Sequence, residues 1–211
     1  MTLSLNLVHH FSHLTLAILL LSLCLLIADG QVVSLGKCPY MPVVADFNPS
    51  AFLGLWYEQR KYPNLFQIGG KCNTAEYSMK HDGTLSIINR HENKLTGIET
   101  GEHGYGRMLF PGKLKVRFPQ PWKSDAPYFI IGTDYSNYAV VVTCSEYGLV
   151  NGKIAWILTR HRYPSQKVMH KAYTEMEHAN LSVAFLKKTD QNHCHPVGQP
   201  LDNFIKKNVE G

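Results

Sequence analysis

The sequence predicts an all-β domain of eight antiparallel strands, folded as a barrel or a sandwich, followed by one amphipathic helix. Three observations predict it. Eight short β-like runs, separated by turn residues, fill residues 52–160. A single stretch of helical period follows them. Once an apolar leader is set aside, four cysteines remain, as in small secreted folds held by disulfides.

The leader accounts for residues 1–30. Residues 14–27 are almost unbroken apolar sequence, the length of a signal-peptide core and too short for a comfortable membrane span. Ala28-Asp29-Gly30 then places small residues at −3 and −1 of a cleavage site, with Gln31 as the new N-terminus. The leader's start carries His9, His10 and His13 but no Lys or Arg, a departure from the usual layout. The expected product is a secreted, extracellular chain of about 180 residues, one domain's worth. No other stretch is apolar enough for an integral membrane span, and no apolar tail suggests a lipid anchor. The chain's formal charge of +5 rises by one when Asp29 leaves with the leader. Its basic residues are dispersed and no recognition module accompanies them, so nucleic acid is not an expected partner.

The strands follow in order. Residues 52–62 end at Pro63-Asn64, and residues 72–79 end at His81-Asp82-Gly83, a hairpin signal because Asp-Gly tolerates positive φ. Residues 84–91 come next. Residues 97–108 carry four glycines and are expected to bend or bulge. Residues 113–118 alternate strictly, Leu114, Val116 and Phe118 on one side and Lys113, Lys115 and Arg117 on the other. Residues 128–133, 138–144 and 153–160 complete the set. Val168, Ala172, Met176 and Ala179 then recur at helical spacing, with Ser165 as N-cap. Residues 31–194 form the expected domain, and residues 195–211 a polar, mobile tail. Closing the sheet would remove its edges and leave room for one small ligand. Periodicity does not choose between barrel and sandwich, and four cysteines allow three pairings.

Three motifs go further. Gly54-Leu55-Trp56-Tyr57-Glu58 resembles the lipocalin G-x-W signature, Thr133-Asp134-Tyr135 the family's T-D-Y turn, and Arg160 its third conserved position. Gly36-Lys37-Cys38-Pro39, Ala126-Pro127-Tyr128 and Ala155-Trp156-Ile157-Leu158-Thr159-Arg160 are similar to the apolipoprotein D-like branch, with its insect and bilin-binding members. The resemblance implies an eight-stranded, up-and-down antiparallel β-barrel with its helix packed outside. It also implies disulfides Cys38–Cys144 and Cys72–Cys194, and an Arg160 guanidinium lying over Trp56 at the closed end.

A carrier of a small hydrophobic ligand is the implied function. The ligand is a fatty acid, a sterol or a similar lipid, with biliverdin as the alternative. The implied pocket residues are Tyr77 on the second strand, Asn89 on the third, and Trp156 and Leu158 on the eighth, with Trp122 at the entrance. Asn89 is polar in a strand otherwise built from Leu85, Ile87 and Ile88. A lone amide on an apolar wall favours a hydrogen-bonding ligand as its partner. No catalytic role is expected, because disulfides would consume the cysteines and no nucleophile elbow, zinc motif or phosphate loop is present. A protein partner for the loops is the competing reading. Asn180-Leu181-Ser182 is the one glycosylation sequon, since Asn48 precedes Pro49.

Overall fold

The computed structural model describes residues 31–64, 67–118 and 125–197. The leader and Trp122 lie outside them, as do residues 198–211 of the expected tail. Among the described residues ten strands form one antiparallel sheet. They are β1 (Val32–Leu35), β2 (Gly54–Lys61), β3 (Gly70–Met79), β4 (Leu85–Asn93) and β5 (Glu99–Phe110). After them come β6 (Lys113–Arg117), β7 (Ala126–Thr133), β8 (Tyr138–Tyr147), β9 (Val150–Thr159) and β10 (Lys187–Lys188), and a short helix, α1 (Pro49–Phe52), precedes β2. From β2 to β9 each strand pairs with the next. β9 then pairs back onto β2, from Tyr57 opposite Thr159 to Lys61 opposite Trp156, and closes an eight-stranded barrel. The barrel, not the sandwich, is the fold.

β1 and β10 are additions that periodicity did not reveal, being short and lacking an alternating pattern. β1 lies along β9, and β10 along the far end of β2. The glycine-rich strand also departs from expectation. β5 pairs with β4 without interruption from Glu99 to Gly106, and its irregularity falls later, between Met108 and Phe110. Gly104 makes room instead of a bend. A Cβ on Gly104 would come within 2.6 Å of the Phe118 ring.

Two apolar cores flank the barrel wall. Val141 and Ala139 of β8 face inward, while Tyr138, Val140 and Val142 face the helix α2 (Gln166–His178). Both faces of β8 are buried, so its sequence reads as a continuous apolar run and not as an alternation. The Ser165 side chain caps α2 by accepting from the Val168 N–H, and Ala172 and Met176 are fully buried against the wall. Gly132 permits that approach, because a Cβ there would meet Glu175 at 2.4 Å. Asn180, just past the helix, is exposed and left-handed at φ 55°.

Disulfides join Cys38 to Cys144 and Cys72 to Cys194. The first ties residues 106 apart, and in the chain-entropy account such a closure is worth about 4–5 kcal/mol. His195, assigned from sequence to the tail, is held in place: its N–H donates to Glu92 Oε1 at 2.7 Å.

The closed end is built from the three motifs. Trp56 is fully buried, and its indole N–H donates to Phe52 O at 2.9 Å. The Arg160 guanidinium lies 3.7 Å from the centre of the indole ring. It also donates to the carbonyls of Tyr135, Leu55, Ala51 and Leu53. Gly54 sits at φ 94°, and a Cβ there would stand 3.4 Å from Arg160 Nη1. Asp134 holds its turn by accepting from the N–H groups of Asn137 and Tyr138. Tyr135 is thereby set at φ 61°, and its carbonyl faces Arg160. The motifs are a plug, fastened by one cation.

Candidate ligand-binding site

Above this plug the barrel interior changes character along its axis. The lower part is packed with rings. Phe52 lies 5.1 Å from Trp56 and 5.0 Å from Tyr77, and Leu85, Ile87, Leu114 and Ile130 fill the walls. Tyr77 forms the top of this floor. Its hydroxyl meets that of Tyr128 at 2.5 Å, and burial pushes the Tyr77 phenol up to about 12 and Tyr128 well above its ordinary value. Both rings are therefore neutral near neutral pH. Two hydroxyls carry two protons, and the shared bond uses one. The pair keeps a spare donor.

Asn89 stands two residue pairs above Tyr77, opposite Ala75 on β3 and Glu102 on β5. It is half-buried, and among the described residues its side chain makes no hydrogen bond. Trp156 lies higher on the opposite wall, 6.4 Å from the Tyr128 ring, and its indole N–H donates to Gln67 Oε1 at 3.3 Å. Leu158, below Trp156, is buried in the inner core. The structure thus brings Tyr77, Asn89, Trp156 and Leu158 to the inner wall.

Toward the mouth the interior becomes polar, which the sequence reading missed. Glu58 is 3 % exposed, and its carboxylate accepts three hydrogen bonds and faces one cation. Asn73 Nδ2 and Lys61 Nζ each lie 3.0 Å from Oε1, Gln67 Nε2 lies 2.9 Å from Oε2, and the Thr189 hydroxyl also donates to Oε1. Gln67 passes the network on, accepting from Asn64 Nδ2 at 2.8 Å and from Trp156. Beyond Tyr57 the pairing of β2 with β3 ends, and the segment after α2 fills the gap by pairing Lys187 and Lys188 with Lys61 and Arg60. His91, two residues above Asn89, bonds Thr100 Oγ1 through Nε2 at 2.9 Å. Burial and then the Lys61 charge hold its pKa below the ordinary histidine value.

One of these residues had a legible signal. Glu58 follows Trp56 by two positions, so a buried Trp56 places Glu58 on the same inner face. Lys61 had none. Strict alternation would put Arg60 inside, but a bulge between Glu58 and Arg60 shifts the register and turns Lys61 inward. Cys72, Glu92 and Cys194 also cluster, on the outer side, but both sulfurs are spent in the disulfide.

Comparison with known proteins agrees with this architecture. The family model described as the Lipocalin / cytosolic fatty-acid binding protein family matches residues 53–193. Apolipoprotein D of Macaca fascicularis is 36% identical over 171 residues, covering 79% of this chain and 89% of that one. The Lazarillo protein of Schistocerca americana is 32% identical over 181 residues, covering 80% and 84%. The solved structure of insecticyanin from the tobacco hornworm Manduca sexta superposes with a TM-score of 0.69 at 24% identity, over 78% of this chain and 91% of that one, a likeness of fold.

Proposed function

The chain belongs to the lipocalin family, and from that premise we propose that it is a secreted carrier of a small hydrophobic ligand. The ligand would lie inside the barrel, above the Tyr77–Tyr128 floor and below the polar mouth. The observation that carries this reading is Asn89. Its amide sits on the inner wall with no side-chain partner among the described residues, where leaving a polar group unmet carries a desolvation cost. A bound lipid or a biliverdin-type tetrapyrrole would supply the missing hydrogen bond. The visible absorption spectrum of protein from its native source separates the two, since only the tetrapyrrole absorbs there. We read the activity as binding and not catalysis, because all four cysteines after the leader lie in disulfides and none is a thiolate nucleophile.

The test is a titration of the secreted chain with a fatty acid, a sterol and biliverdin, followed by tryptophan quenching. Asn89→Leu is expected to leave stability unchanged or slightly higher while weakening a ligand that uses the amide by about 1–3 kcal/mol. Wild-type affinity of this variant for every ligand would remove Asn89 as the anchor.

Secretion is tested by mass. The secreted form is expected to lack residues 1–30, to carry no free thiol and to bear one N-glycan on Asn180, which is exposed at the helix end. A secreted protein whose mass retains residues 14–27 would refute cleavage.

A further inference from the structure

The polar mouth holds a cation whose hydrogen-bonding capacity is largely unspent. Lys61 Nζ is buried, and among the described residues its polar contact is Glu58 Oε1 at 3.0 Å, with no hydrogen bond of acceptable geometry. An ammonium has three donors and a carboxylate about four acceptor positions. Glu58 Oε1, the oxygen that faces Lys61, already accepts from Asn73 and from the Thr189 hydroxyl, which fills its two positions. Lys61 therefore retains at least two N–H groups in a place shielded from bulk water. It lies directly opposite Trp156, whose ring faces the apolar interior beside Tyr128.

From this juxtaposition we infer that Lys61 is the head-group anchor of the cavity and that the ligand ends in a carboxylate. The apolar body would lie along Trp156 and Tyr128, and its terminal oxygens would accept the free Lys61 donors. The inference rests on the carriage reading above and narrows its ligand class. Hydrogen bonds between two charged partners are roughly twice as strong as neutral ones, and most so where water is excluded. A fatty acid and biliverdin share the carboxylate, and a sterol lacks it. Glu58 keeps Lys61 from being an isolated buried charge when the cavity is empty, and its three neutral donors damp its repulsion of an incoming acid.

The experiment uses the full secreted chain, stripped of bound lipid, near neutral pH. It is titrated with oleic acid, oleyl alcohol and methyl oleate, and with biliverdin and its dimethyl ester, while cholesterol serves as the ligand without an acid. Wild type is expected to bind one of the two free acids about tenfold more tightly than its ester. The acid that shows this preference identifies the source. Lys61→Met is expected to erase the preference by weakening the acid while the ester binds as before. Equal binding of acid and ester by wild type, alcohol binding equal to acid, or a preference that survives Lys61→Met would overturn the anchor. The wild-type comparison needs no variant, so it stands whether or not Lys61→Met folds. Failure of all the ligands to bind would instead sink the carriage reading itself.

Discussion

Trp56→Ala is expected to destabilise the protein by about 3–5 kcal/mol, the range for truncating a fully buried aromatic side chain. Trp56 has no exposed surface, donates its indole N–H to Phe52 O, and packs between the Phe52 ring and the Arg160 guanidinium. Alanine leaves a cavity under a cation and orphans the Phe52 carbonyl. Arg160 still keeps four backbone carbonyls, so the closed end should stay folded in dilute buffer and fail early in denaturant. Ligand affinity should be unchanged in the folded fraction, because Trp56 packs on Phe52, and Phe52 on Tyr77, below the proposed ligand position. Urea unfolding followed by circular dichroism reads the change. A shift worth less than 1 kcal/mol at unchanged slope would mean that Trp56 is not the keystone of the plug.

That plug was the most legible part of the molecule, and the mouth the least. Trp56, Gly54, Asp134 and Arg160 act through local turn geometry and one stacked contact, so short motifs carry their roles. Strand order was legible for a similar reason, since each barrel strand pairs with its neighbour in sequence across a short turn. The helix was legible because one face of it is apolar at a fixed period. The mouth depends instead on tertiary events. Lys61 points inward only because of a bulge in β2. Thr189 reaches Glu58 only because β3 parts from β2 and the chain after α2 returns 131 residues later to fill the gap. Neither event leaves a periodic trace. Gly104 shows the same limit in reverse: the glycine was visible, but the Phe118 ring it accommodates was not.

Glu58 is where that non-local mouth is most exposed to a single change, and Glu58→Leu is expected to cost about 3–5 kcal/mol. The substitution leaves the buried Lys61 ammonium without a counter-charge. It also strands the Asn73 amide, the Gln67 amide and the Thr189 hydroxyl, which now share one carboxylate. Lys61→Met alone should cost far less, on the order of 1 kcal/mol, because Glu58 keeps three hydrogen-bond donors. The double variant Glu58→Leu with Lys61→Met is the informative one. Replacing a whole buried ion pair by apolar residues of similar size is often close to neutral, whereas removing one partner is not. The double variant should therefore be more stable than Glu58→Leu alone by about 2 kcal/mol, a non-additivity that a double-mutant cycle measures. Hydrogen exchange should show the loss locally in Glu58→Leu. Thr189 N–H, bonded to Gln59 O, should exchange faster, while Trp56 and its neighbours keep their protection. Strict additivity would show that solvent, not Glu58, neutralises Lys61. The ammonium would then be hydrated at the mouth, with no donors held in reserve for a ligand.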